Sequence, residues 1–409
     1  MRDFDFAGLR EDATAAFRPQ FTDVVRRAGR RKARTRTAGL ALTAAAVTGA
    51  TGVAMTAVPA GPVDPEPSTS ASASVRTIYG TDPVAGSLDY LYQATAACEV
   101  DPAAARIRPP ADVTFWLCRW RVTASGDRGH SWRTTDIGLA TRETSVDVLA
   151  VNTTVVVRSR AVPAAYRVSV DAGATWRTEV ASTVATLPVG WVPMPTNPDG
   201  FALRVSAVDP DTGRVAEIGI PLMGPIGGTL VRTLPSAGLW LTGWRRGTGA
   251  SPEPSTTPAV GFCGVSPNGG RGWHMKDLGP GGTRPSGLPA VATSIDGRNA
   301  VLALVREGTV EIYRTHTAGA TWERTPFART VPDHTSVALL MLADGTVLMS
   351  LGSETYESAD QGDTFTPSTA GPLYGAYPVP GGYAAARPMG VIISADGRSW
   401  TLVEIPQVS

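Results

Sequence analysis

The sequence is short of lysine, cysteine and histidine. Two of its 37 basic residues are lysine (Lys32 and Lys276), three residues are cysteine and four are histidine. No pair among Cys98, Cys118 and Cys263 has CxxC spacing, which excludes a zinc ribbon or a thioredoxin-like redox site. The histidines (His130, His274, His316, His334) are scattered, three of them in or beside turn sequences, so neither a metal site nor a cofactor is expected. GxSxG and Walker A motifs are absent, as is GxGxxG in a βαβ setting. The runs MGPIGG and LGPGG read as loops between strands, not phosphate cradles. Charged residues are sparse at 18%, and the basic surplus is confined to the first 37 residues, with ten basic and five acidic side chains. The remainder carries 27 basic and 31 acidic residues, so the body presents no nucleic-acid footprint. Scarce lysine beside abundant arginine and alanine reads as the coding bias of a GC-rich bacterial genome.

Glycine (44), proline (33) and tryptophan (10) are what the chain has in quantity. With 43% apolar residues there is ample surface to bury, and the balance suits an all-β protein with many tight turns.

From Thr37 to Val63 there is no charged residue. The run from Ala38 to Ala60 has 23 residues, rich in Ala, Thr and Gly, and about 20 suffice for a helix to cross a bilayer. It follows the basic stretch RRAGRRKARTR (Arg26 to Arg36) and precedes the Pro/Ser-rich GPVDPEPSTSASAS. That arrangement predicts a single-pass anchor at the cell membrane, with the N-terminus cytoplasmic and the body extracellular. Two other readings compete: a signal peptide cleaved after VPA (Val58 to Ala60), and a buried soluble helix. The long region before the run and its lack of polar positions at helical period favour the anchor. The expected organisation is therefore a basic cytoplasmic segment over 1–37, a transmembrane helix over 38–60 that meets the lipid bilayer, a stalk over 61–83 and a body over 84–409. The cytoplasmic segment has apolar spacing for a short amphipathic helix, read as lying on anionic lipid, or as binding a partner as the short cytoplasmic domains of anti-sigma factors do. In an extracellular body Cys98 and Cys118 are candidates for a local disulfide, with Cys263 a buried thiol.

One eight-residue frame recurs: hydroxyl, any, Asp, any, Gly, any, any, aromatic. It occurs as Ser125/Asp127/Gly129/Trp132 and as Ser169/Asp171/Gly173/Trp176. Ser266/Asn268/Gly270/Trp273 exchanges the acid for an amide, and Thr315/Thr317/Gly319/Trp322 has threonine there. Ser358/Asp360/Gly362/Phe365 ends in phenylalanine, and Ser394/Asp396/Gly397/Trp400 is one residue short. Acid positions are 44, 97, 49, 43 and 36 residues apart, and the double gap holds a turn at Asp209 to Gly213 around Asp211. Seven units at a period of roughly 40–50 residues predict a seven-bladed β-propeller. The alternating residues before each frame (AYRVSV, VEIYRT, GVIISA) predict half-buried strands. In the turn the acid accepts backbone N–H bonds, the glycine takes a positive φ, and the aromatic packs between neighbouring sheets. A catalytic acid has no reason to recur once per blade, so these carboxylates read as structural.

The frames resemble the Asp-box (bacterial neuraminidase) repeat of sialidases, some glycanases, sortilin-type receptors and propeller-type photosystem assembly factors. The resemblance covers about 80% of the chain and is specific for architecture, since the same repeat serves hydrolases and pure binding proteins. A sialidase resemblance would imply an arginine triad, a Tyr–Glu nucleophile pair and an aspartic acid/base. The stretch ARIRPP, with Arg106, echoes the first arginine motif but lacks its aromatic residue and splits Ile from Pro. Tyr374, Tyr377 and Tyr383 have no acid near in sequence, and Glu217, Glu311 and Glu354 are candidate partners from other blades. Candidate ligand-binding residues outside the frames are Arg106 and the cluster Trp240, Trp244 and Arg245 in LWLTGWRRG. In WLCRW, Trp116, Cys118 and Trp120 alternate and read as one buried row, and the insertion RRGTGASPEPSTTP reads as a contact loop. The expected function is a non-catalytic binding or scaffold module for a surface protein or glycan. An exo-sialidase-type hydrolase is the alternative.

Overall fold

In the computed structural model the described residues are 77–406, apart from 101–115, 143, 162–163, 195–203, 220–225, 246–259, 281–289, 295, 333–334 and 372. The cytoplasmic segment, the anchor over 38–60 and most of the stalk lie outside them. Among the described residues no helix is long and apolar enough to cross a membrane.

The described strands form seven sheets, six of four strands and one of five, arranged as a seven-bladed β-propeller. Blade 1 comprises Thr77–Gly80 and Val84–Ala85, which share one partner, then Leu91–Val100, Trp116–Ser125 and Arg133–Thr141. Blade 2 is Val146–Val151, Thr154–Ser159, Tyr166–Ser169 and Arg177–Glu179. Blade 4 is Ile226–Leu230, Leu239–Arg245, Val260–Ser266 and His274–Pro280, and blade 5 is Ala290–Thr293, Ala300–Arg306, Thr309–Thr315 and Glu323–Thr330. Blade 6 is Val337–Met341, Val347–Leu351, Glu354–Ser358 and Thr366–Pro367, and blade 7 is Ala376–Val379, Gly382–Arg387, Gly390–Ser394 and Thr401–Glu404. All six pair antiparallel in chain order. Blade 3 departs from this: Val192–Pro193, Arg204–Val208 and Val215–Gly219 follow one another, but the outer place is taken by the upstream pair Ser182–Thr183, running parallel to Val215–Gly219. Blade 1 also begins earlier than the sequence suggests, because Thr77–Gly80, assigned to the stalk, pairs with Leu91–Val100.

Strands expected to be half-buried are buried on both faces. Val347–Leu351 is buried throughout, as are most positions of Tyr166–Ser169 and Gly390–Ser394, whereas the outer strand Thr401–Glu404 is mostly exposed. Each sheet lies face to face with two neighbours, so alternation survives only towards the rim. The apolar side chains accordingly gather into seven clusters, one for each seam between consecutive blades. The seam between blades 7 and 1 holds Ala85, Leu88 and Leu91 against Val391 and Ile393, and so closes the ring.

Cys98 and Cys118 face each other in register on the second and third strands of blade 1 and are joined by a disulfide within the seam towards blade 2. Cys263 is a buried free thiol, and desolvation raises its pKa far above the ordinary thiol value.

Candidate functional site

The octets all occupy one corner, joining the third strand of a blade to the fourth. In the first, Ser125 Oγ donates to Asp127 Oδ1 (2.8 Å) and accepts from Gly129 N (2.8 Å). Asp127 in turn accepts from Ser131 N (2.9 Å) and Ser131 Oγ (2.8 Å). The same loop of bonds runs through Ser169, Asp171, Gly173 and Thr175, and through Ser358, Asp360, Gly362 and Thr364. Asn268 accepts from Ser266 Oγ and Gly272 N; Thr317 accepts from Thr321 N; Asp396 accepts from Ser394 Oγ, Arg398 N and Ser399 N.

The three octets that depart from the frame keep the glycine bond nonetheless. Gly270 N donates to Ser266 Oγ (2.8 Å), Gly319 N to Thr315 Oγ1 (3.1 Å) and Gly397 N to Ser394 Oγ (2.8 Å). In the short octet that bond spans three residues instead of four, so Gly397 does the work of the fifth position from the fourth. Gly270, Gly319 and Gly397 have φ of 95°, 78° and 74°, the left-handed region that favours glycine. All three are buried, although they stand in hairpin turns, which sequence alone places at the surface.

In Asp127, Asp171 and Asp360 both carboxylate oxygens accept bonds from the turn itself. Backbone and side-chain bonds from Ser131 hold Asp127 at a pKa of about 2. For Asp171 and Asp360 desolvation pushes upward, yet the bonds from Thr175 and Thr364 bring both to about 2. A carboxyl group held so low does not serve as a general acid near neutral pH.

The terminal aromatics Trp132, Trp176, Trp273, Trp322, Phe365 and Trp400 are half-buried, and each packs on a different seam cluster. The remaining seam, between blades 2 and 3, meets the degenerate unit, which has Ala216 at the aromatic position. Its turn, which joins the second and third strands of blade 3, nevertheless lies at the octet end, beside the octet of blade 2. Arg133, the residue after Trp132, donates to the carbonyl of Ala172 in the next octet (3.2 Å), and Arg177, the residue after Trp176, donates to that of Thr212. Asp209 replaces the hydroxyl, accepting from Asp211 N (3.0 Å) and Thr212 Oγ1 (2.6 Å).

In an antiparallel meander successive connections alternate between the two ends of a blade. The octets and the first-to-second turns therefore share one end, where no connection in the chain-ordered blades exceeds eight residues. The two longest connections, of 15 residues between Val100 and Trp116 and 14 between Arg245 and Val260, leave from the opposite end. Arg106 and the insertion after Arg245 fall in these connections and lie outside the described residues.

The first strands converge on a central cavity of about 500 Å³, lined by Asp82, Arg232, Thr233, Thr293 and Tyr377 among apolar groups such as Val291, Leu339 and Met341. Arg232 leaves the inner strand of blade 4, donates to the Val148 carbonyl of blade 2 (3.2 Å) and lies over the Tyr377 ring of blade 7, 4.3 Å from its centre. Tyr377 Oη accepts from Ala85 N of blade 1 (2.9 Å). One guanidinium thus touches two other blades and, through Tyr377, a third. Nothing in the sequence marks Arg232, because an isolated arginine after a strand carries no local pattern.

Other sequence candidates are placed elsewhere. Trp240 is fully buried, donates Nε1–H to Ala237 O (2.7 Å) and meets Trp322 edge to face (6.2 Å), so it is a seam residue and not a ligand contact. The backbone of Trp244 and Arg245 ends the second strand of blade 4, and their side chains lie outside the description. Trp120 is buried and bonds Thr141 Oγ1 (2.9 Å). The three glutamates do find tyrosines, but not the expected ones: Tyr166 donates to Glu217, Tyr313 to Glu311 and Tyr356 to Glu354. Burial, followed by the bond to Glu217, raises Tyr166 to about 12, and burial likewise raises Tyr313 and Tyr356. Each of these phenols is held as a hydrogen-bond donor to its glutamate. Tyr383 is buried in a seam, and Tyr374 donates to Gly352 O (2.6 Å).

No family model matches the chain, and no curated protein does. Several solved structures resemble it at low identity. A GH74 enzyme of Niastella koreensis is 15% identical with a TM-score of 0.28, over 78% of this chain and 54% of that one, so the chain spans about half its length. The GH93 alpha-L-arabinofuranosidase of Fusarium graminearum is 13% identical with a TM-score of 0.36, over 80% and 91%. A prolyl endopeptidase is 10% identical with a TM-score of 0.35, over 81% and 43%. Likeness at this level attaches no activity to the chain.

Proposed function

We propose that this chain is an Asp-box propeller tethered to the cell membrane through residues 38–60 and displayed outside the cell. There it acts as a non-catalytic binding or scaffold module for a surface protein or glycan. The observation that carries this reading is the asymmetry of the two ends. The octet end is closed by tight turns whose polar groups bond one another, while the long connections issue from the other end, where loops on a rigid scaffold are free to recognise a partner. The octet carboxyls, held strongly acidic by their own turns, are not suited to general acid work near neutral pH. The Cys98–Cys118 disulfide suits an oxidising compartment.

The test is a glycan-array and surface-protein binding screen with the purified full-length protein, run beside an assay on fluorogenic sialosides and arabinosides. A ligand bound without turnover supports the module. Hydrolysis abolished by Arg106→Ala would establish the exo-sialidase alternative instead. Digestion of the body by protease added to intact cells, with the first 36 residues reachable only after lysis, tests the topology.

A further inference from the structure

Asn268 and Gly269, in the octet of blade 4, form the one Asn–Gly pair of the chain; Asn152, Asn197 and Asn299 precede threonine, proline and alanine. An Asn–Gly step is chemically labile, because a backbone nitrogen with no side chain beside it closes readily into a five-membered ring on the asparagine amide. Asn268 is exposed, so water reaches it. Its Oδ1 accepts from Ser266 Oγ (3.0 Å) and Gly272 N (2.9 Å), two donors aimed at the oxygen on which negative charge gathers when the amide carbon is attacked. The attacking atom is unengaged. In blades 1, 2 and 5 the fourth octet residue donates its backbone N–H to a carbonyl of the first-to-second turn: Arg128 to Asp89 (3.0 Å), Ala172 to Thr153 (2.8 Å) and Ala318 to Arg298 (3.0 Å). In blade 4 that connection runs instead through the 3-10 turn Pro235–Ala237, and Gly269 N donates to nothing among the described residues. Packing also fixes the glycine: Gly269 has a φ of 68°, and a Cβ there would lie 2.6 Å from the Leu187 carbonyl oxygen.

We propose that Asn268 is a modification site of the folded protein, deamidated without an enzyme by attack of the Gly269 nitrogen. This goes beyond the binding-module reading and is independent of it. Base removes the Gly269 amide proton, the nitrogen bonds Asn268 Cγ, and the Cγ–Nδ2 bond breaks, releasing ammonia that takes its third proton from water. Water then opens the cyclic imide at either carbonyl, giving aspartate or, where the main chain passes through Cγ, isoaspartate. Neither product suits the turn. Aspartate adds a second oxygen where Gly272 has no hydroxyl to meet it. Isoaspartate lengthens the main chain by one methylene where Gly269 O accepts from Leu187 N (2.8 Å), a buried residue of the seam between blades 3 and 4. The octet of blade 4 is thus a clock that adds one negative charge and loosens one seam as the protein ages.

The test is peptide mapping by mass spectrometry of the purified full-length protein, held for days at neutral and at mildly alkaline pH. Residue 268 should gain about 1 Da, at least tenfold faster than Asn152 and Asn299 and faster still at the higher pH. The chain unfolded in urea should convert Asn268 no faster than the folded protein does, because unfolding removes both donors from Oδ1. Ser266→Ala should slow the folded protein severalfold. No conversion in the folded state, rates equal to those of Asn152 and Asn299, faster conversion in urea, or an unchanged rate in folded Ser266→Ala overturns the proposal. Should Ser266→Ala fail to fold, the comparison between buffer and urea decides.

Discussion

Asn268 shows how closely each octet is balanced atom by atom. Where the third position is aspartate, at Asp127, Asp171 and Asp360, the seventh is Ser131, Thr175 or Thr364, and its hydroxyl donates to the second carboxylate oxygen. Where the third position is Asn268, with one oxygen, the seventh is Gly272, with no hydroxyl. In these four octets the hydroxyl and the second oxygen are present or absent together, whereas Thr317 meets the Thr321 hydroxyl with its own (2.8 Å). Asn268→Asp alone should bring no gain, since it adds an unpaired charge. Combined with Gly272→Ser it should stabilise, with a coupling of about 0.5–1 kcal/mol in a double-mutant cycle read by urea denaturation. Acid should act on the same groups. Asp127, Asp171 and Asp360 have folded pKa values of about 2, below the unfolded value of roughly 3.9. Their contribution is therefore complete above the unfolded value and lost as pH falls from there through the folded one. Tryptophan fluorescence should show unfolding promoted across that window. Asp171→Asn should be less sensitive to acid there than wild type.

At the scale of the element, the octet is a seam device as much as a turn. A Cβ on Gly129 would lie 2.2 Å from Val403 Cγ1 of blade 7, on Gly173 3.3 Å from Ala124 of blade 1, and on Gly213 2.6 Å from Val168 of blade 2. The departing octets obey the same rule: Gly270 would meet Ile218 of blade 3 at 2.4 Å, Gly319 Val265 of blade 4 at 2.4 Å, and Gly397 Leu342 of blade 6 at 2.3 Å. Each octet turn is thereby pressed onto the preceding blade, and the sequence cue of a glycine beside an acid marks a contact between sheets. Gly129→Ala should cost about 2–3 kcal/mol, because backbone strain and overpacking add. Gly345→Ala, at a similar φ of 86° but with open space around it, should cost only about 1 kcal/mol. Thermal melts of the two variants separate the terms, and equal losses would leave the turn alone responsible.

At the scale of the whole propeller, closure is the weak point. The first and last blades share no strand, so the ring is held there by packing and by the bond from Ala85 N to Tyr377 Oη (2.9 Å). Tyr377→Phe keeps the ring beneath Arg232 and strands a buried N–H, so it should cost about 1–3 kcal/mol. Hydrogen exchange should locate the added opening at blades 1 and 7; uniform loss of protection would count against a localised closure seam.

Much of this was legible in the chain itself. Six octets in step determine the number and corner of the turns, because each depends on side chains within eight residues of one another; the seventh unit could be placed from the gap and from the Asp209–Gly213 turn. Strand burial, the outer strand of blade 3, the burial of Gly270, Gly319 and Gly397 and the fate of Trp240 depend on which sheet lies opposite, information that no local stretch contains. The same holds for the partners of Glu217, Glu311 and Glu354 and for Arg232, whose contacts come from 84 and 145 residues away. Local bonding wrote the turns into the sequence; the central cavity exists only because seven sheets close around it.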